Sequence, residues 1–194
     1  DPGHGGTDSG ATAFGTEEKN LNLKIAQYCK AKLEEGGDIT VYLTRNDDTY
    51  VSLTDRVNIA RNYGADLFVC IHNNASESSA PRGLEVYYPN ENYNIYCNKS
   101  GKQVATMISN QLAGLGIPNN GIKTRDYPNG ECRYPDGSIA DYYSVIRNSK
   151  VDKTPSVIVE HAYLTNAADY GSYLNEDWKL EALGNADAAG IRQY

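Results

Sequence analysis

Apolar aromatic side chains are scarce in this sequence: two Phe and one Trp stand against sixteen Tyr in 194 residues. Most of its aromatic surface therefore carries a hydroxyl, and amphipathic rings of that kind suit contact with sugars or peptides. Positive charge is scarce as well. Eighteen Lys and Arg face 25 Asp and Glu, a formal net charge of -7, and the basic residues are scattered rather than clustered. That argues against a dedicated nucleic-acid binder, which needs a basic patch to neutralise phosphates. No run approaches the ~20 consecutive apolar residues of a membrane span, and no charged n-region followed by an apolar h-region opens the chain. The four cysteines, Cys29, Cys70, Cys97 and Cys132, include no C-x-x-C pair. Cys29 and Cys70 lie within apolar patterns and read as small buried hydrophobes. Cys97 and Cys132 lie in Tyr-rich polar surroundings, where spacing leaves a disulfide open. There is no H-E-x-x-H, so the helical zinc-protease signature is missing.

What is present is an alternation of helix and strand signals. From Glu17 to Leu33, the residues Leu21, Ile25, Cys29 and Leu33 recur four apart, one face of a helix stopped by Gly36-Gly37. Ile39 to Thr44 has the β-branched and aromatic content of a strand. Ser52 to Asp55 looks like a capping box, opening a helix with Leu53, Val57 and Ala60 inward. Leu67 to Ile71 is apolar throughout, as expected of a strand buried on both faces. Gly83 to Tyr88 reads as another strand, and Val104, Met107, Ile108, Leu112 and Leu115 mark a third helix. Arg125 to Asp141, dense in Pro, Gly and Asp, reads as a long surface loop that gates a cleft or selects a substrate. Val157 to Val159 is a second buried strand, and Asp177 to Gln193 a closing helix. The length suits one domain, 1–194, and the alternation predicts a single three-layer α/β fold with a mostly parallel central sheet flanked by helices. The opening at Asp1, inside a Gly-rich loop, reads as a fragment of a longer protein with a strand expected just before it.

Both fully apolar strand runs end in a titratable residue: Ile71 is followed by His72, and Val159 by Glu160. In open α/β sheets ligands bind beyond the carboxyl ends of the strands, so the two converge on one crevice. The turn Asp1-Pro2-Gly3-His4 brings His4 to the same rim if a strand precedes it. Two histidines and a carboxylate form a common catalytic zinc set with one position left for water. His4, Glu18 and His72 are the candidate ligands, and Glu160 the general base that takes the water's proton. Plainer roles stand beside these. Glu18 could complement the dipole of the helix it opens. His72 could be a satisfied core histidine, and Glu160 half of a buried ion pair with Arg45 or Arg56. For Glu85 and His161 the structural role is favoured; pleat alternation turns His161 away from whatever Glu160 faces.

The blocks DPGHGGTDSGA (1–11), Glu18-Lys19 followed by NLNLKIA, LTR (43–45), IHNNA (71–75), GLEVYY (83–88) and PSVIVEHAYLTN (155–166) occur in order along the chain. Together they resemble the zinc-dependent N-acetylmuramoyl-L-alanine amidases of bacterial cell-wall turnover. The resemblance implies one Zn2+ held by His4, Glu18 and His72, with Glu160 as the catalytic base and Asn74 shaping the substrate site. It implies cleavage of the amide between the lactyl group of N-acetylmuramic acid and L-alanine, in peptidoglycan outside the cytoplasmic membrane. His161 departs from the small or apolar residue more usual after the catalytic Glu. The rival readings are a catalytically silent domain of this fold that binds wall peptides or regulates a partner, and a zinc peptidase acting on another amide.

Overall fold

The computed structural model describes all residues, Asp1–Tyr194. The chain enters along the strand that carries Ile71: Pro2 bridges Ile71 in parallel, and Gly3 N donates to Ile71 O at 3.0 Å. A small hairpin follows, β1 (Thr12–Ala13) and β2 (Thr16–Glu17), turning through Phe14 and Gly15 with φ of 51° and 71°. Two successive positive φ values match the twist of a tight hairpin. The hairpin returns the chain to the opening loop at the start of α1 (Glu18–Glu34). α2 (Leu53–Asn62) follows, capped by the Ser52 side chain, which accepts from Asp55 N. Then come β3 (Phe68–Asn74), β4 (Leu84–Tyr87), α3 (Ile95–Gly114), β5 (Asn119–Lys123), α4 (Ser144–Val151) and β6 (Ser156–Tyr163). A turn of helix α5 (Ala167–Asp169) and the closing α6 (Asp177–Ile191) complete the chain.

The central sheet has the order β3-β6-β4-β5. β3 pairs with β6 in parallel and β4 with β5 in parallel, while β4 and β6 run antiparallel. The sheet is thus mixed with parallel pairs in the majority, and helices cover both faces. On one face α1, α3 and α6 enclose a large apolar cluster that includes Ile25, Ile108, Val157, Val159 and Leu183. On the other, α2 and α4 cover Phe68, Cys70, Val145, Ile146 and Ile158. Alternate residues of β6 therefore face opposite layers, as the pleat requires.

Two expectations from the sequence change, and the disulfide it left open does not form. Ile39–Thr44 is extended but belongs to no sheet. Its backbone is taken by α1 side chains, with Val41 N donating to Glu34 Oε1 and Val41 O accepting from Lys30 Nζ. A cavity of about 460 Å³ lies between this segment and β3. Leu53 is not inward: it is 55% exposed at the first turn of α2, beside the site described below. All four cysteines are free thiols, with Cys97 buried in α3.

The segment 125–141 is more structured than its composition suggests. Asp126 bridges Asp141, Arg133 bridges Ile139, and a 3-10 turn forms at Pro128–Gly130. Its anchor is a buried polar cluster. Lys150, fully buried in α4, donates to Asn90 O and Oδ1 at 2.8 and 2.7 Å and lies 3.4 Å from Asp141 Oδ2, which also accepts from the Tyr134 hydroxyl. Burying an ammonium without partners is costly, and removing one partner of a buried pair strands the other. We expect Lys150→Met to destabilise the protein by about 3 kcal/mol or more and to expose 125–141 to proteolysis. Urea unfolding and limited trypsin digestion measure both effects, and a neutral substitution would show that the cluster does not anchor the segment.

Candidate metal and catalytic site

The site begins with backbone. His4 adopts φ 61°, a left-handed conformation unusual for a residue with a side chain. Two buried guanidiniums hold it there. Arg45 donates from Nε to Pro2 O at 3.0 Å and from Nη2 to Gly3 O at 2.9 Å. Arg56 donates from Nη1 to Pro2 O at 2.8 Å and from Nη2 to His4 O at 2.7 Å. Three consecutive carbonyls are thus fixed by side chains arriving from two other segments. Neither arginine pairs with Glu160, so the ion-pair alternative for that residue does not apply. Asp48 and Lys19 clamp the far side of the loop: Gly6 N donates to Asp48 Oδ1, and Lys19 Nζ donates to Gly6 O and Asp48 Oδ2.

Glu18 arrives from the first turn of α1, whose leading amides are satisfied by the opening loop: Glu18 N donates to Ala11 O and Lys19 N to Ser9 O. Its carboxylate lies between the two histidines, with His4 Nε2 at 3.2 Å from Oε2 and His72 Nδ1 at 3.0 Å from Oε1. Ala11 N, Asn22 Nδ2 and Asn73 N donate to the same carboxylate. Burial pushes its pKa up, but the contacts with His4 and His72 outweigh burial and hold it well below the usual carboxylate range. In the opposite sense, burial lowers the His4 pKa while Glu18 and Asp8 raise it, for a net value of about 9. Asp8 Oδ2 takes His4 Nδ1 at 2.8 Å, so Nε2 is the nitrogen left facing the centre. The ligand atoms of His4, Glu18 and His72 all lie within 4.8 Å of one another.

Glu160 lies beside this group by strand register. It pairs with His72 across β3 and β6, so both side chains leave the same face of the sheet. Its Oε2 is buried and has no hydrogen-bond partner, and burial, opposed only in part by His72, raises its pKa to about 7. His4, His72, Glu160, Tyr50, Leu53 and Tyr143 line a single open pocket of about 180 Å³. The Arg125 guanidinium covers the adjacent Tyr142 ring at 3.9 Å, and Tyr142 meets Tyr143 edge-on with ring centres 5.2 Å apart.

The structure therefore brings His4, Glu18, His72 and Glu160 together at one rim. Asn74 ends β3 nearby, with its Oδ1 accepting from Ala75 N and its Nδ2 3.5 Å from Glu85 Oε2. Glu85 is held by Lys123 and Tyr87 and pairs with Glu160 in the register of β4 against β6. Sequence reasoning did not find Asp8, Asn22 or Asn73, nor the carbonyl-holding role of Arg45 and Arg56. Only Asp8 had a local signal, a carboxylate four residues after His4.

Residues 1–193 match the family described as N-acetylmuramoyl-L-alanine amidase, Amidase_3. The chain belongs to this amidase family. Among its relatives, the N-acetylmuramoyl-L-alanine amidase LytC of Bacillus subtilis is 41% identical over 170 residues, covering 87% of this chain and 29% of LytC. The chain thus spans less than a third of that relative's length. Among solved structures, the catalytic domain of the amidase CwlV from Bacillus (Paenibacillus) polymyxa superposes with a TM-score of 0.80 at 32% identity, covering 100% of this chain and 94% of that one. Cwp6 from Clostridium difficile gives a TM-score of 0.84 at 32% identity, covering 99% of this chain and 28% of that one. The single three-layer amidase fold expected from the sequence is the one these structures share.

Proposed function

We propose that this chain is a zinc-dependent amidase that hydrolyses the bond between the N-acetylmuramic acid lactyl group and L-alanine in peptidoglycan. One observation carries the reading: a buried carboxylate touches two histidines from different segments, and an unpartnered carboxyl stands beside one of them in strand register. The donor set fits zinc. Two imidazoles and a carboxylate form a common catalytic zinc set, and here their ligand atoms all lie within 4.8 Å of one another. Asp8 behind His4 is the kind of outer carboxylate that fixes a ligating ring.

When bound, the ion supplies Lewis acidity for the scissile carbonyl and lowers the pKa of its water. The chain's own residues do the rest. His4, Glu18 and His72 hold the ion and leave the pocket side open. Glu160 takes the attacking water's proton and passes it to the departing L-alanine nitrogen. Tyr143 and Tyr50 offer amphipathic rings to the substrate, and Asn74 bounds it at the strand end. Residues 1–194 act as one catalytic domain. The site of action is the cell wall, outside the cytoplasmic membrane; Staphylococcus aureus LytH, 32% identical over 197 residues, is named a probable cell wall amidase. No helix is long and apolar enough to cross a membrane.

Product analysis of digested muropeptides tests the reading. Free muramic lactyl groups together with new L-alanine amino termini are expected, whereas new termini only at later stem residues would identify a peptidase.

Metal uptake should depend on pH in a defined direction. With its pKa near 9 in the metal-free site, His4 keeps a proton through neutral pH that zinc must displace. The apparent zinc affinity should climb about tenfold per pH unit between pH 6.5 and 8.5 and level off above 9. Competition titrations against a chromophoric chelator at three pH values measure it. A flat profile would show that His4 holds no proton for zinc to displace over this range.

A further inference from the structure

On the face of β6 opposite Glu160 lies a group that the hydrolysis above does not use. The His161 side chain is fully buried, and so is that of Asp187 from α6. The imidazole bridges two acceptors: Nδ1 lies 2.9 Å from the backbone carbonyl of His72, and Nε2 2.8 Å from Asp187 Oδ2. A carbonyl oxygen only accepts, so Nδ1 carries a proton and donates to it. The other acid oxygen, Asp187 Oδ1, has no partner.

Stability does not account for this pair. It sits in the apolar layer that contains Val159, Ala162, Leu183 and Ala188, where two apolar side chains of similar volume would be neutral or stabilising. Its position is more informative. The register of β3 against β6 slips just past His72, from His72↔Glu160 to Asn74↔Tyr163. Two residues of β6, His161 and Ala162, there stand opposite the single Asn73. A bulge loosens the ladder and frees the strand to re-aim its side chains, and this one lies immediately beyond the paired His72 and Glu160.

We propose that His161 and Asp187 form a positioning pair: His161 ties the His72 backbone to α6 across the bulge and thereby holds His72 and Glu160 in their relative placement. The inference rests on the reading of His72 as a zinc ligand. Neither residue touches substrate or metal. Their effect is transmitted through the His72 carbonyl on one side and through the pleat on the other, since drawing His161 towards α6 presents Glu160 to the crevice.

Two double variants of the full chain separate positioning from stability. In His161→Asn/Asp187→Asn an amide nitrogen takes the place of Nδ1 and still reaches the His72 carbonyl without a buried charge. In His161→Leu/Asp187→Leu the volume is kept and the donor is lost. The Leu pair should melt at or above the wild-type temperature, yet bind Zn2+ 10- to 100-fold more weakly. Its kcat should fall by about the same factor, with KM changed less than about twofold, as for an interaction felt at the reacting groups rather than in substrate binding. The Asn pair should recover most of both losses. In the metal-free Leu pair, amide exchange at Asn73 and Asn74 should quicken about tenfold or more, because the loosened segment opens more often. Wild-type zinc affinity, kcat and exchange in the Leu pair would overturn the proposal, as would an Asn pair as impaired as the Leu pair. A Leu pair that does not fold beside an Asn pair that does would assign the residues to folding alone. If the wild-type protein takes up no zinc, the metal reading fails by itself, and the exchange rates still decide whether His161 braces β3.

Discussion

Glu160→Gln is expected to lower kcat by about 10² to 10⁴-fold, the range that a positioned general base contributes, while zinc binding and the fold stay intact. The amide keeps the shape of the side chain and removes only its capacity to accept a proton. The same substitution should stabilise the metal-free protein, for a reason visible in the structure. Glu160 Oε2 is buried and unpartnered, and desolvation raises the folded-state pKa to about 7 from an ordinary 4.5. Between those values the folded chain retains a proton that the unfolded chain has lost, so wild-type stability falls as pH rises from about 4.5 to 7 and stays low above it. The loss is at most about 3 kcal/mol, since water reaching the pocket relieves part of it. Urea unfolding in chelator at pH 4 and pH 8 should find the variant close to wild type at the first and more stable at the second. Equal stability at pH 8 would mean that the carboxyl is better solvated than its position implies, and retained turnover would remove Glu160 from catalysis.

This conflict between stability and chemistry is what made the residue legible in the sequence. Val157-Ile158-Val159 could only be a buried strand, and a carboxyl at its end needed a partner or a task. His72 was legible in the same way from Leu67 to Ile71, whereas Glu18 stood out only through the Glu18-Lys19 block, since its place at a helix start suits a dipole-complementing carboxylate equally well. That His72 and Glu160 share one crevice was legible from the strand ends; how Glu18 joins them was not. It depends on the Phe14-Gly15 turn that folds α1 back onto the opening loop. Ile39–Thr44 misled for a physical reason: strand composition measures suitability for a half-buried pleated surface, and here that surface is offered to a cavity while Glu34 and Lys30 take the hydrogen bonds. Leu53 misled because a capping box fixes where a helix starts and not which of its first residues are covered. The carbonyl-holding role of Arg45 and Arg56 left no signal, because guanidiniums that bind carbonyls 43 and 54 residues away have no local pattern to betray them.

Those arginines also explain why a single methyl group at Gly3 should disable the site. A Cβ added there would lie 2.2 Å from His72 Cε1 and Nε2 and 2.7 Å from Nδ1, well inside van der Waals contact, so either the imidazole or the loop must move. The loop is poorly able to move: the carbonyls of Pro2, Gly3 and His4 are held by Arg45 and Arg56, and Gly3 N is bonded to β3. The ring must therefore swing out of line with Glu18. Gly3→Ala should weaken zinc binding by at least about a hundredfold, beyond what loss of an outer-shell contact costs, and reduce turnover in step. The overpacking itself should cost only about 1–3 kcal/mol, leaving a folded chain whose circular dichroism matches wild type. Gly114→Ala is the matching control: it lies in α3 with open space around the new methyl and should be neutral or slightly stabilising. Zinc titration of both variants distinguishes a steric block at the metal site from a general effect of replacing glycine. If Gly3→Ala binds zinc as wild type does, the opening loop is mobile enough to yield, and the two arginines do not fix the position of His4.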